Sequence, residues 1–389
     1  MSKSRHRGIL PGGLAESADQ GRVVPMPNVG GRPVTGTRLG VLDIGSNCAQ
    51  LQIVDLRHGA PPLPAYAVKQ RVGLGEDIND DGAVSEAGIG RVVAATAEAL
   101  VAAEEHRVDL FYVFATAAIR DASNREQILD RIEEVTRVRP QYLGGEDEAR
   151  LTYLAAHRWY GWSANRILLL DIGGGSMEIA LGRDAEPELA VSLPLGAGRL
   201  TRLFLPDDPP SSGQVKALRQ HIRATVREVT DRVRWEGPPA RVVATSKTFK
   251  QLARLTGSPP QRKGPFVARH VRVRDLNSWI PRLQRLPAHK RAALRGISGS
   301  RAQQILAGAL VAKLTMDALD IQSADVCPWA LREGIMLHYL QTTQGDSWPM
   351  PLQHIDPDHV LTEQARATKH QPPPSALGQA TEDQPDTKP

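Results

Sequence analysis

The sequence predicts an α/β protein built as two domains that face each other across a cleft. Three observations carry this reading. Strand-like and helix-like patterns alternate from residue 38 to about residue 340. The stretch Leu42-Asp43-Ile44-Gly45-Ser46-Asn47 returns about 128 positions later as Leu170-Asp171-Ile172-Gly173-Gly174-Gly175-Ser176. The chain, at 389 residues, is longer than one ordinary domain. The expected boundaries are 37–163 for the first domain and 164–342 for the second. Residues 1–36, rich in Gly, Pro and Arg, and 343–389, rich in Pro, Gln, Asp and Thr, are expected to be disordered.

The elements follow in order. Arg38 to Leu56 reads as two apolar strands joined by a Gly-Ser-Asn turn. Ser85 to His106 is Ala-rich with a serine cap and reads as a helix. Leu110 to Ala115 is a buried strand, and Asn124 to Val138 a helix with Ile128, Leu129 and Ile132 on one face. Arg150 to Trp162 looks helical, and Arg166 to Leu181 repeats the strand, glycine turn and strand. Val215, Leu218, Ile222, Val226, Val229 and Val233 follow helical spacing, with arginines 219, 223 and 227 elsewhere on the wheel. Arg241 to Thr245 is a short strand that leads through Ser246-Lys247-Thr248 into a helix. Ala302 to Leu319 and Ala330 to Leu340 are the closing helices.

Composition excludes several classes. The two cysteines, Cys48 and Cys327, are too far apart in sequence to form a metal-ligand cluster, and nothing suggests an oxidising compartment. No apolar run approaches the roughly 18 residues of a membrane span, and the N-terminus lacks the apolar segment of a secretory signal. A cytoplasmic protein with no membrane partner is expected. Net charge is +5, and between Arg262 and Arg301 eleven Lys/Arg stand against one acid, Asp275. That surplus attracts polyanions. Few aromatics interleave with it for base stacking, so nucleic acid is not the expected partner.

The repeated loops point to phosphate. Glycine allows a tight turn and close approach of the backbone to a ligand, so Gly45, Gly173, Gly174 and Gly175 can aim N–H groups at phosphate oxygens beside Ser46, Asn47 and Ser176. An aspartate at each strand end would repel that phosphate unless a cation intervened. Asp43 and Asp171 therefore imply Mg²⁺, with Mn²⁺ as the alternative ion.

Paired Asp-x-Gly hairpins of this kind resemble the phosphate loops of the actin/Hsp70/sugar-kinase superfamily (the RNase H-like fold). Five further segments fall in the order and spacing of the Ppx/GppA phosphatase family: Lys69-Gln70-Arg71-Val72, Ala115-Thr116-Ala117-Ala118-Ile119-Arg120, Gly145-Glu146-Asp147-Glu148-Ala149-Arg150, Asp171 to Glu178, and Leu331-Arg332-Glu333-Gly334. The match spans about residues 38 to 340. It implies hydrolysis of a terminal phosphoanhydride in the interdomain cleft. Glu148 then takes the position of the base that activates water, with Asp147 replacing a preceding Glu of the family pattern. Glu178, two positions beyond Ser176 on the strand, is implied to assist.

Arg71 and Arg120 are candidates to clamp phosphates, since a guanidinium stays charged and binds oxyanions in bidentate fashion. Arg150 is read as structural, and Arg332 and Glu333 as fixing the last helix. Two positions depart from the pattern. Cys48 stands where many relatives carry Ser or Thr. In Ser246-Lys247-Thr248, expected to touch phosphate, Lys247 replaces a glycine of a G-x-S-G-T-like loop. It either adds a phosphate contact or meets a positive-φ requirement that reshapes the loop.

Within the resemblance, exopolyphosphatase is the first reading and a guanosine pentaphosphate (pppGpp) 5′-phosphohydrolase of the stringent response its alternative. The fold reads as ending near Leu340, like the short family members, and the basic run suits a long polyphosphate. A non-catalytic polyphosphate or alarmone sensor is a second alternative. An ATP-dependent kinase is disfavoured, because no Gly-Gly pair opens the third helix and no G-x-x-x-x-G-K-[ST] loop is present. A homodimer is expected by analogy only.

Overall fold

The computed structural model describes residues 36–79, 81–343 and 348–355. The expected N-terminal disordered segment lies outside them except for residue 36. The expected C-terminal one does too, except for residues 343 and 348–355.

Two mixed sheets form the frame. The first contains β1 (Arg38–Ile44), β2 (Cys48–Asp55), β3 (Pro64–Arg71), β4 (Leu110–Ala115) and β5 (Gln141–Tyr142), in the order β3-β2-β1-β4-β5. The second contains β6 (Ile167–Ile172), β7 (Met177–Gly182), β8 (Leu189–Leu193), β9 (Arg241–Thr245), β10 (His270–Arg272) and β11 (Ser323–Val326). Read from β8, its order is β8-β7-β6-β9-β11-β10. The two sheets share one plan. An antiparallel hairpin (β1–β2, β6–β7) is extended by a third strand, and a parallel crossover strand (β4, β9) joins the other side. The sequence repeat is the visible part of this duplicated topology, and β10 is an added edge.

β1 and β6 are central and buried on both faces, which is why they read as continuous apolar runs. On β6, Ile167 and Leu169 point to one cluster, and Leu168, Leu170 and Ile172 to the other. Beside the first sheet lie α1 (Glu86–Glu105), the short α2 (Ala117–Arg120) and α3 (Arg125–Thr136). Ser85 caps α1 by accepting from the Gly88 N–H, and Ile128, Leu129 and Ile132 bury one face of α3. The second sheet is covered by α6 (Ser212–Trp235), α8 (Val273–Arg285) and α10 (Ile305–Ala318), with α5 (Ala197–Phe204), α7 (Ser246–Leu255) and α9 (Ala288–Ala292) between them. A reciprocal Ser211–Gln214 capping box opens α6.

The element that joins the halves is α4 (Gly145–Tyr160). It begins five residues before the expected Arg150, so Glu146, Asp147 and Glu148 form its first turn, where the helix dipole favours acids. Leu151 packs into the cluster of the first sheet, while Ala149, Tyr153 and Ala156 pack on Ile167, Leu169 and Ala180 of the second. The closing helix α11 (Leu331–Thr342) crosses α4 so closely that a Cβ at Gly334 would lie 1.9 Å from the Leu151 carbonyl oxygen. Leu331, Ile335 and Met336 of α11 share a cluster with Leu39 and Val41 of β1.

Residues 348–355, expected to belong to a disordered tail, instead pack on the first half. Leu352 is buried with β1 and α11, and Trp348 stacks on His338 at 4.1 Å. Phe111 and Ile355 exchange backbone hydrogen bonds of 3.0 and 2.8 Å. The apolar residues Trp348, Met350, Leu352 and Ile355 are spaced too irregularly among polar ones to register as an element. Among the described residues, no helix is long and apolar enough to cross a membrane.

Candidate active site

The two repeated loops have the same turn. Gly45 N–H donates to the Cys48 carbonyl at 3.1 Å, and Gly173 N–H to the Ser176 carbonyl at 2.9 Å. They face each other in direct contact: a Cβ on Gly174 would fall 1.8 Å from Ser46 Oγ. Glycine is required there for steric reasons, whatever its role toward a ligand. The Ser46 hydroxyl is oriented by Asn47, whose Nδ2 donates to it at 2.9 Å.

Around this contact lies a cavity of about 380 Å³. The first loop contributes Asp43, Gly45, Ser46, Asn47 and Cys48, and the second Asp171, Gly173, Gly174, Gly175 and Ser176. Ser246 and Lys247 line it from the third loop, and Glu148 from the start of α4. Of the sequence-selected residues, Glu178, Arg71, Arg120 and Thr248 do not line it.

Each of those four has a physical reason. Glu178 is 2% exposed and lies opposite Asp171 in the β6–β7 hairpin, where it accepts a 2.9 Å hydrogen bond from Ser192 Oγ. Arg120 points at the protein: it donates to the Leu143 carbonyl at 2.9 Å and to Asp121 at 3.0 Å, and lies 3.8 Å from Glu148. At that distance its charge opposes the acids around Glu148 without a hydrogen bond to it. Thr248 is buried beneath α10, where a Cβ on Gly308 would meet its Cγ2 at 2.5 Å. Arg71 pairs with Cys48 across the strands, at the end of β3. Lys69, two positions earlier and opposite Gln50, is the β3 cation that lines the cavity.

The third loop resolves the question raised by Lys247. The left-handed φ of 78° falls on Ser246, so Lys247 carries no such strain and sits in the first turn of α7.

The carboxylates are in tension. Glu148 is held well above the usual carboxylate range, by burial first and then by Glu178, Asp171 and Asp43, with Arg120 opposing. Its Oε2 is buried without a hydrogen-bond partner. Glu178 is pushed up to about 8, by burial and then Asp171, against hydrogen bonds from Ser176 and Ser192. Asp43 and Asp171 are raised mainly by burial; each has one hydrogen-bonded relieving partner, with further relief from the charge of Lys69 at Asp43 and of Lys250 and Arg301 at Asp171. For Asp43 the hydrogen-bonded partner is Arg332, whose Nη1 donates at 2.9 Å; for Asp171 it is the Thr245 hydroxyl.

Sequence reasoning missed Lys69, Lys250, Arg301, Ser192 and Thr245, and gave Arg332 too small a part. Arg332 does anchor α11, but it does so by reaching Gln52 of β2 and, in the site, Asp43. Lys69 was within reach of the period-two alternation of β3, had that exposed edge strand been recognised.

The match to family models covers residues 53–343 with the Ppx/GppA phosphatase family. The chain is 48% identical over 306 residues to Exopolyphosphatase 1 of Mycobacterium tuberculosis, covering 78% of this chain and 89% of that protein. It is 47% identical to Exopolyphosphatase 1 of Mycobacterium leprae over 306 residues, covering 78% and 90%. Among solved structures, an exopolyphosphatase from Cytophaga hutchinsonii superposes with a TM-score of 0.71 at 23% identity, over 79% of this chain and 98% of that one. A Ppx/GppA family member from Aquifex aeolicus gives 0.66 at 24% identity, over 79% and 99%. With that fold and these relatives, the chain belongs to the Ppx/GppA phosphatase family.

Proposed function

We propose that this protein is an exopolyphosphatase that hydrolyses the terminal phosphoanhydride of inorganic polyphosphate and releases orthophosphate. The observation that carries the reading is convergence: two glycine loops in contact, and an unpartnered buried carboxylate oxygen on Glu148, line one cavity. The relatives named exopolyphosphatase, at 47–48% identity over most of their length, support the substrate.

In this mechanism the loop N–H groups other than those of Gly45 and Gly173, which close the turns, hold the oxygens of the terminal phosphoryl group together with the Ser46 hydroxyl, the Ser176 hydroxyl being engaged by Glu178. Glu148 accepts a proton from a water as its oxygen attacks phosphorus in line. The bridging P–O bond breaks, and its electron pair leaves with the shortened chain. A carboxylate raised by burial and neighbouring acids is a stronger base than a solvated one, which suits this step. Glu178 and Arg120 act as positioning residues, tuning Glu148 from either side.

Among the described residues, no group of three or more His, Cys, Asp or Glu is arranged to hold a metal. An all-protein cage therefore does not fit. Asp43 and Asp171 do fit Mg²⁺ or Mn²⁺ held by one or two carboxylates, with waters and substrate phosphate completing the shell. When bound, the ion would neutralise charge on the transferred phosphoryl group.

The test is orthophosphate release from polyphosphate with Mg²⁺, beside guanosine pentaphosphate and beside Glu148→Gln. Release from polyphosphate should fall at least about 10²-fold in the variant while polyphosphate binding persists. Equal turnover by the variant would remove Glu148 as the base. Preference for guanosine pentaphosphate would reassign the substrate.

A further inference from the structure

The cations of the cavity divide into two kinds. Arg332 is committed to Asp43, and Lys250 donates to the Pro328 carbonyl at 2.9 Å. Lys69, Lys247 and Arg301 also line the cavity, yet none has a side-chain hydrogen bond or ion pair with any described residue. They come from three separate elements: β3, the first turn of α7, and the short turn 299–301.

Their charges bear on one another across the cavity. Although Lys247 as a whole is exposed, its ammonium is held below its ordinary pKa, by desolvation first and then by Lys69, Arg301 and Lys250. The first turn of α7 carries no acid to offset them. The charges of Asp43 and Asp171 reach Lys69 and Arg301 across the cavity, but no described acid forms a close ion pair with any of the three cations, so an anion with several charges finds their donors open.

We propose that Lys247, with Lys69 and Arg301, forms a subsite for the phosphate units behind the terminal one, making Lys247 a determinant of selectivity for condensed phosphates. This rests on the exopolyphosphatase reading. The glycine loops and Glu148 hold the unit being removed, and each following unit carries negative charge that one of these cations meets. Lys247 is suited to this because the left-handed turn is taken by Ser246, leaving residue 247 free to carry a side chain. Where the family pattern has glycine at this position, the same subsite would lack a cation.

The experiment is calorimetric titration of full-length protein with Mg²⁺, in a Glu148→Gln background that keeps substrate intact. Tripolyphosphate is compared with orthophosphate, which fills only the terminal position. Lys247→Met should weaken tripolyphosphate binding about tenfold, leave orthophosphate within about twofold, and be rescued by Lys247→Arg. Equal loss for both ligands, no loss for either, or failure of arginine to rescue would each overturn the proposal. Wild-type phosphate release from polyphosphate, measured in parallel, reports on the function separately. Release with unchanged tripolyphosphate affinity in Lys247→Met sinks the subsite alone. Selective loss of affinity without any release keeps the subsite and sinks the enzymatic reading.

Discussion

Glu178 makes the electrostatics of the site measurable without any substrate. It is 2% exposed, and its carboxyl is pushed from an ordinary 4.5 up to about 8. The folded protein therefore binds this proton more tightly than the unfolded chain does. The resulting stability is fully present below about pH 4.5 and is lost as pH rises through about 8. At 1.36 kcal/mol per pH unit, the full difference corresponds to about 5 kcal/mol, a large share of the roughly 5–15 kcal/mol that holds a domain together. Glu148 is raised by the same neighbours, so the cluster titrates as a whole and Glu178 is read by difference. Urea unfolding of metal-free protein between pH 5 and 8.5 should show stability falling with pH. In Glu178→Gln, where the amide oxygen still accepts from Ser192, the fall should be shallower by up to one proton per molecule. Parallel pH profiles for the two proteins would refute the claim that Glu178 is held protonated by burial and Asp171.

Two packing predictions follow from the layer between the sheets. Glycine inside a helix is ordinarily worse than alanine by about 1 kcal/mol, so propensity alone makes Gly334→Ala stabilising. The structure reverses the sign: the new Cβ would meet the Leu151 carbonyl oxygen at 1.9 Å, backbone against backbone, and thermal unfolding should show a loss of at least about 2 kcal/mol. An unchanged or higher Tm would mean that α11 does not cross α4 this closely. Leu352→Ala should cost about 2–4 kcal/mol by denaturant titration, because Leu352 is 3% exposed in the cluster shared by β1 and α11. A neutral result would show that residues 348–355 do not close the fold.

The parts of the molecule legible in its sequence are those whose signal is local. The two hairpins, α1, α3, α6 and the closing helices each carry their own periodicity or cap. The repeat carried the pairing of the loops, since one short motif met twice implies one geometry met twice. β3 escaped because its regular alternation, that of an edge strand, never reaches full burial: Tyr66, Val68 and Gln70 are half-buried and Ala65, Ala67 and Lys69 exposed. β8, β10 and β11 are three to five residues long, shorter than a periodicity needs. Arginine chemistry points Arg120 at phosphate, whereas its hydrogen bonds here run to the Leu143 carbonyl, just before α4, and to Asp121, at the end of α2. Residue type bounds what a side chain can do; only packing decides which way it faces.

The same distinction explains why the site is built at a cost. In the cavity, Asp43, Glu148 and Asp171 are raised by burial and by the field of other acids. Lys69, Lys247 and Arg301 line the same cavity without a hydrogen bond or close ion pair to those acids, although Asp43 feels the charge of Lys69 and Asp171 that of Arg301. If stability alone had shaped the cavity, these two sets would pair directly, as Arg332 does with Asp43. Instead they act on one another only at a distance, without direct pairing. A small monoanion would relieve the cations and worsen the acids; a lone divalent cation would do the reverse. A condensed phosphate accompanied by Mg²⁺ brings both charges at once, so the resting penalty is largest against the ligands the site should refuse and smallest for the one proposed here.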